Sequence, residues 1–556
     1  MKKEIIDLLV KHGVPGEIAS LVEIPQDSSR GDFAFPCFAL AKLWKKNPVE
    51  IARELAGKIG TVKGFEKIEA VGPYVNFFVD KNKITEDVLK IIEKDKNKYG
   101  ANKLGKNRKF MIEFSQPNTH KAFHVGHIRG TSFGESLARI REFCGYNVVR
   151  TNYSGDTGMH IAKWLWAFTK FHKGEKISGD ESWFAKIYAE AVQKLEGNEK
   201  GEIEVGLINK KIDERSDAKL MTLWKSTRLK SIAAWKPIYK ELDVKFNKHF
   251  FESQVEIAGK KIAQELVKIG VARINDGATI VDLKKDNLGV WVLLRRDGTV
   301  LYSAKDLALA EDKFSKYKAN ESLIITNSEQ NLHFQQLRKT LELMKFKHWQ
   351  NYYHLGYESV RLPEGKMSSR TGKNILYADF RNELVNAARS EIEKREKISE
   401  NEINVRAVTI AIAAIKYTML KQDTNKVIIF NKDEAVRFEG DTGPYLLYTY
   451  ARAQSILRKA GKITKINNYS VGNHERNLLN EFARFPEIVV NANEHFNVSR
   501  VAHYAYTLAQ TFNEFYHACP VIGSDEEGFR LRLVRAFCQV MENTMHLLGI
   551  SLLKEM

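Results

Sequence analysis

The spacing of apolar and polar residues divides the chain into three blocks. Residues 1–100 open on MKKEIIDLLVKHG, an amphipathic helical pattern, and pass through the Gly-, Pro- and aromatic-rich SSRGDFAFPCFALAKLW into a helix beginning near Phe38. VGPYVNFFVD (71–80) predicts a strand, a charged helix ends near Gly100, and the Lys/Asn/Gly stretch 101–108 predicts a linker. From 109 to 425 strands and helices alternate. KFMIEFS (109–115), NVVRTNYSG (147–155), LIIT (323–326) and YYHLGYESVRL (352–362) read as strands, with a helix starting near His127. Residues 157–270 read as mostly helical, and 272–303 as short strands with turns at Asp276-Gly277 and Asp297-Gly298. Such alternation predicts an α/β fold with a parallel sheet. From 426 onward no strand is predicted. GPYLLYTYARAQSILRKAG, AHYAYTLAQTFNEFYHAC and FRLRLVRAFCQVMENTMHLLG all carry helical apolar spacing, the pattern of an α-helical bundle.

Composition adds limits. A chain of 556 residues is too long for one core, and 43% hydrophobic residues suffice for several. Lys and Arg outnumber Asp and Glu by 87 to 69, a net charge of +18. That surplus suits a polyanionic partner, yet a surface of solvated lysines would give the same number, so charge alone leaves both open. Cys37, Cys144, Cys519 and Cys538 are scattered with no Cys-x-x-Cys pair, which excludes a common zinc module or disulfide framework and fits a reducing compartment. Asp7 interrupts the first apolar stretch and no small-residue cleavage site follows, so it reads as a helix and not as a signal peptide. The longest apolar stretch, around Ala407–Ile415, is short of a membrane span. A soluble cytoplasmic protein, away from membranes, is expected.

Two segments carry chemistry. Ser115-Gln116-Pro117-Asn118-Thr119-His120-Lys121-Ala122-Phe123-His124-Val125-Gly126-His127 joins the first α/β strand to a helix. A helix N-terminus offers unpaired N–H groups and a positive dipole end to phosphate, imidazoles can donate to phosphate oxygens, and Gly126 would admit a nucleotide closely. Far downstream, Lys366-Met367-Ser368-Ser369-Arg370-Thr371-Gly372-Lys373 is a small, hydroxylated, cationic segment of the kind that clamps phosphates. Either alone reads as a solvated turn or a helix cap. Together, at opposite ends of one α/β block, they point to nucleotide chemistry.

The pair resembles the HIGH and KMSKS signatures of class I aminoacyl-tRNA synthetases. EFSQPNTHKAFHVGHIRGT, TNYSGDTGMHI, LRRDGTVLYSAKDLALAED, EQNLHFQQL, EGDTGPYLLYTYAR and LAQTFNEFY resemble, in order, blocks of the arginyl-tRNA synthetases, and SSRGDFAFPCFALAKLWKKNPVEIAREL is similar to that family's N-terminal domain. The resemblance implies a Rossmann-like catalytic domain at 101–425 with an insertion at about 157–300. It also implies an α+β tRNA-contacting domain at 1–100 and an all-α anticodon-binding bundle at 426–556. It implies ATP with Mg²⁺, L-arginine and tRNA(Arg) as partners, a monomer, and no zinc. His124, Gly126, His127, Lys366, Met367 and Ser368 would bind ATP, with Lys121, His124, His127 and Lys366 catalytic. Arginine would meet Glu113, Ser115, Asn118, Tyr302, Asp306 and Gln330. Tyr302 and Asp306, at i and i+4, share a helical face, and a carboxylate with neutral acceptors suits the five-donor fork of a guanidinium. Without the resemblance, Asp306 reads equally as an ion-pair partner of Lys305 or Lys313. Tyr445, Tyr448 and Tyr450 are candidate base-stacking residues, and Phe33, Phe35 and Asn76 candidate contacts to the tRNA corner. One departure stands out: Ser369 occupies the place of the usual second lysine of KMSKS. Members lacking that lysine generally carry one just before HIGH, where Lys121 stands. The resemblance also implies that arginine is activated only with tRNA bound. A class I synthetase of other specificity, a tRNA-binding paralogue without activity and a tRNA-free adenylyltransferase are the alternatives.

Overall fold

Four of the five residues of strand Lys109–Glu113 are buried, the mark of a strand covered on both faces. It is the middle strand of a five-stranded sheet with the order Tyr352–Tyr357, Glu321–Asn327, Lys109–Glu113, Asn147–Ser154, Lys248–Phe251. All neighbours are parallel, with Glu113 beside Thr151 on one side and Ile324 on the other. From the middle strand the chain first builds outward to Lys248–Phe251, then returns to fill the other flank. That reversal opens a crevice at the carboxyl ends of Lys109–Glu113 and Glu321–Asn327, the place where open α/β sheets bind ligands. Met111 and Ile324 of the sheet pack with Ile262, Leu307 and Leu337 from the covering helices.

The structure is a computed structural model that describes residues 2–556 apart from 26, 28, 29, 80, 364–375, 396 and 461–468. Its contacts divide the chain into two units: residues 1–99, 460–483 and 514–539, and residues 100–459, 484–513 and 540–556. The sheet belongs to the second. So does an inserted helical layer, Met159–Phe171, Glu181–Leu195, Glu199–Glu214 and Ala218–Ala234, with its own core around Trp164, Phe168, Phe184 and Trp224. Strands Arg273–Asn275, Ala278–Leu283 and Gly289–Leu294 form a separate antiparallel sheet. Asp276 (φ 46°) and Gly277 (φ 80°) make its first turn, both left-handed as a two-residue hairpin turn requires.

Three expectations change here. Lys248–Phe251 is a sheet strand inside a region read as helical, because four residues are too few to announce a period. Ile428–Ile429, beyond the last predicted strand, pairs in parallel with Val360–Arg361. Helix Glu400–Leu420 is long and apolar enough to cross a membrane, exceeding the short stretch read in sequence. Most of its apolar window is buried inside the protein, which makes it a core helix.

In the first unit the strand expected over 71–80 is one arm of a hairpin. Phe65–Val71 and Tyr74–Val79 pair across a turn at Gly72 (φ 55°), and Phe33–Pro36 completes the antiparallel sheet. Ile5, Leu9, Ile51 and Leu55 from two helices cover Phe35, Val75 and Phe77. Phe35 and Asn76 are therefore interior, at 0% and 2% exposure, and unavailable to RNA.

Candidate functional site

The chain leaves the middle strand through a strained turn. Ser115 (φ 77°), Gln116 (φ 52°) and His120 (φ 62°) all sit in the left-handed region that side chains rarely adopt. Hydrogen bonds from several elements hold it. Gln116 N donates to Asn152 Oδ1 at 3.2 Å, Thr119 N to the Gly155 carbonyl at 3.1 Å, and His120 N to Ser231 Oγ at 2.9 Å. The Ser115 hydroxyl lies 2.9 Å from both Tyr239 Oη and Thr131 Oγ1.

The turn ends on the helix Val125–Phe143, whose N-cap is His124. Gly126 N donates to His124 Nδ1 at 3.1 Å, and His124 N donates to His127 Nδ1 at 3.2 Å. Because each Nδ1 accepts, the ring proton of each neutral imidazole sits on Nε2. Burial, followed for His124 by the Lys121 ammonium, pushes His124 down to about 4, and burial puts His127 well below its ordinary value. Both rings are neutral at pH 7 and carry one Nε2–H each. A Cβ on Gly126 would stand 2.9 Å from the His124 ring, so the glycine also makes room for that side chain. Lys121 Nζ lies 5.1 Å from the Tyr188 ring centre, and burial lowers its pKa.

Across the crevice four carboxylates surround one phenol. Tyr153's hydroxyl is buried and has no hydrogen-bond partner among the described residues. Burial first, and then the charges of Asp306, Glu252, Glu113 and Asp156, raise it well above the ordinary phenol range. Three of these carboxylates have resident cations. Glu113 meets Lys313 at 2.6 Å, both almost wholly buried; Asp156 meets Arg228 at 2.6 Å; Glu252 meets Lys305 at 3.2 Å. Asp306 Oδ2 instead lies 2.7 Å from His333 Nε2. Trp291 Nε1 donates to His333 Nδ1 at 3.2 Å, so His333 is a neutral donor through Nε2. Among the described residues, Asp306 is the member of this group without a cationic partner. Tyr302, one helical turn before it, packs its ring 4.7 Å from that of His333. A Cβ on Gly155 would sit 2.5 Å from Asn118 Oδ1 and 3.2 Å from Glu252 Oε1, so a side chain there would displace Asn118.

Comparison with known proteins now names this arrangement. Residues 88–432 match the family described as tRNA synthetases class I (R), catalytic domain. Residues 446–556 match the DALR anticodon binding domain, and 1–79 the arginyl tRNA synthetase N terminal domain. An arginine–tRNA ligase of Clostridium perfringens is 34% identical over 100% of this chain and 98% of its own length. The chain belongs to the arginyl-tRNA synthetases. The Clostridium acetobutylicum arginine–tRNA ligase is 35% identical over 96% of both chains. The solved arginyl-tRNA synthetase of Thermus thermophilus superposes with a TM-score of 0.81 at 26% identity, covering 100% of this chain and 99% of its own. The Plasmodium falciparum arginyl-tRNA synthetase, at 22% identity and TM-score 0.78 over 100% and 98%, shares the fold.

Against this family's expected site, the structure gathers Glu113, Ser115, Asn118, Lys121, His124, Gly126, His127, Tyr302 and Asp306 about the carboxyl edge of the sheet. Gln330 stands just after the strand Glu321–Asn327 and is exposed. Glu113, expected to meet arginine directly, already has its carboxylate between Lys313 and Gln116 Nε2 (3.0 Å). Lys366, Met367, Ser368, Ser369 and Arg370 lie outside the described residues; Leu376, the first described residue beyond them, bridges to His124. Upstream, the buried Arg129 donates to the carbonyls of Glu358, Lys426 and Asp423 at 2.5–2.9 Å. Sequence reasoning missed His333, Tyr153, His160 and Arg228. His333 had a faint signal, three residues past Gln330 in EQNLHFQQL. Tyr153 and His160 likewise lie in TNYSGDTGMHI, whereas Arg228 has no signal without the fold, since it meets Asp156 across 72 residues. His160 is a further imidazole near Lys121, pushed to about 3 by burial and then by that ammonium, with a buried, unpartnered Nε2 among the described residues. In the C-terminal helices Tyr450 is 2% exposed and donates to Glu542, a core role, whereas Tyr448 is half-buried under Arg452.

Proposed function

We propose that the protein activates L-arginine with ATP and transfers the arginyl group to the 3′-terminal adenosine of tRNA(Arg). A carboxylate oxygen of arginine attacks the α-phosphorus of ATP, forming arginyl-adenylate and releasing diphosphate. The 2′-hydroxyl of the terminal adenosine then attacks the anhydride carbonyl carbon and AMP leaves. No enzyme nucleophile is needed, so the protein contributes positioning and charge stabilisation.

The charge balance of the acidic pocket carries the choice of amino acid. Resident cations neutralise Glu113, Asp156 and Glu252, which leaves Asp306 to meet one guanidinium. His333 fixes one Asp306 oxygen and Tyr302 packs against the same ring at a tilt. Glu113 contributes through the buried Lys313 pair, and Ser115, Asn118 and Gln330 serve the rest of the amino acid. At the other end His124 and His127 offer their Nε2–H groups to phosphate, Lys121 adds positive charge, and Gly126 keeps the His124 ring in place. Lys366, with Met367 and Ser368, binds the diphosphate moiety. Mg²⁺ comes with the nucleotide, held by its phosphates.

The division into a tRNA-contacting domain (1–100), a catalytic domain (101–425) with an insertion at about 157–300, and an anticodon-binding bundle (426–556) follows the same reading, with Tyr448 the best placed tyrosine for a base. The enzyme acts as a cytoplasmic monomer away from membranes. Aminoacylation of total tRNA with each of several amino acids tests the proposal. Charging is expected with arginine; charging with lysine at an equal rate would refute it.

A further inference from the structure

We propose that the inserted helix Glu181–Leu195 positions the His124–His127 helix start for the reaction, with Glu181 and Tyr188 as the positioning residues. The inference rests on the functional reading above.

Glu181 is the first residue of its helix and only 7% exposed. Its Oε1 accepts a hydrogen bond from Phe123 N at 2.5 Å. Phe123 is the residue before the N-cap, and its carbonyl accepts from Tyr377 N at 3.0 Å. Its ring is fully buried, 5.1 Å from that of His127 and 6.1 Å from that of Tyr377. The peptide groups on both sides of Phe123 are thus held by parts of the chain remote in sequence, one of them the inserted layer. Seven residues after Glu181, two turns along the same helical face, Tyr188 sets its ring 5.1 Å from Lys121 Nζ. One helix therefore grips both the backbone that aims the two imidazoles and the ammonium beside them. The His120 side of the turn is held likewise: His120 Nε2 lies 2.8 Å from Thr227 Oγ1 of the inserted helix Ala218–Ala234. A carboxylate buried to satisfy a single backbone N–H is an expensive choice unless its position matters. Misplacement of reacting groups by about 1 Å can cost about 10²-fold in rate.

The test is arginine-dependent ATP–pyrophosphate exchange with cognate tRNA present, using the full chain as wild type, Glu181→Ala, Glu181→Gln and Tyr188→Leu, with a thermal melt of each. Glu181→Ala is expected to lower kcat about 10–100-fold while KM for arginine, set by other elements, stays within about twofold of wild type. Glu181→Gln keeps an acceptor for Phe123 N and should recover most of that loss, which a general packing defect would not do. Tyr188→Leu should lower kcat several-fold; Tyr188 is half-buried, so this variant carries the test if Glu181→Ala does not fold. A folded Glu181→Ala, or failing that Tyr188→Leu, with wild-type kcat would overturn the inference. So would a loss expressed in KM for arginine with kcat unchanged. Absence of exchange in the wild type itself would instead strike the functional reading on which the inference stands.

Discussion

The two ends of the crevice solve opposite problems. The His124–His127 end, proposed to take a ligand rich in negative charge, carries neutral imidazoles, each holding its proton on Nε2, with one lysine nearby. The Asp306 end, proposed to take a cation, carries carboxylates, most already matched by resident cations. The first end is built from thirteen consecutive residues and a local helix cap. The second draws on three strands and four helices. A site for phosphate can be made from backbone geometry, because helix ends and turns already point N–H groups at one place. A site for a guanidinium needs a net charge, and that is decided only by which side chains pair with which.

The largest effect should come from the acidic end. A pocket whose polar groups are matched to a guanidinium leaves them unpaired with lysine, a discrimination of as much as about 10⁴–10⁵. Asp306→Asn should raise KM for arginine strongly and leave ATP binding alone. Comparable charging of lysine and arginine by the wild type would break the contrast between the two ends.

At the phosphate end, His124→Ala should lower the exchange rate by about 10²–10³, by analogy with removing one oxyanion donor. Since His124 also caps a helix, that variant loses about 1 kcal/mol of stability as well. His124→Asn separates the two roles. Asn caps well but has no Nε2–H, so its melting temperature should match wild type while its rate falls as far. A wild-type rate in a stable His124→Asn would make the imidazole a cap and nothing more.

Lys121→Ala should cost about 10–100-fold in exchange with tRNA present, the worth of one charge-assisted phosphate contact. If it exchanges normally while Arg370→Ala does not, the cation that makes up for Ser369 lies in the downstream segment.

The smallest effect is on stability. His124, His249 and His354 are pushed down to about 4 and His160 to about 3, all chiefly by burial. The unfolded chain protonates such groups near 6.5. Stability from these groups is therefore complete above pH ~6.5 and is lost as pH falls through the folded values. Glu181, raised by burial to about 7, works the other way, its contribution fading as pH rises through 7. Four groups outweigh one, so the melting temperature should fall steadily from pH ~6.5 to ~4, less steeply in His160→Gln. A flat profile would mean that the imidazoles are not held neutral.

How much was legible in advance follows the same divide. Strands such as Lys109–Glu113 and Glu321–Asn327 announce themselves by continuous apolar runs bounded by turns, and the helix start after His124 by its position behind a strand. Lys248–Phe251 and the Phe65–Val71 arm escaped notice because short or half-exposed strands carry little period. Gly126 was legible as a glycine at the helix start, but the crowding of a Cβ there against the ring of His124 was not. Asp306 was legible as a residue and not as a partner. Sequence proximity offered Lys305 and Lys313, yet these reach Glu252 and Glu113, and a histidine 27 positions away takes Asp306.

The sequence by itself determined the class of chemistry, the alternation that makes a parallel sheet, and the helix start behind its first strand, because each depends on local order along the chain. The tertiary structure alone decided the ion pairing of the carboxylates around Tyr153, the tautomers of His124, His127 and His333, and the attachment of the inserted helix to Phe123. Those depend on distances of a few ångströms between residues far apart in the chain. At that range the sign and strength of an interaction turn on burial and pairing, which no pattern along a single sequence records.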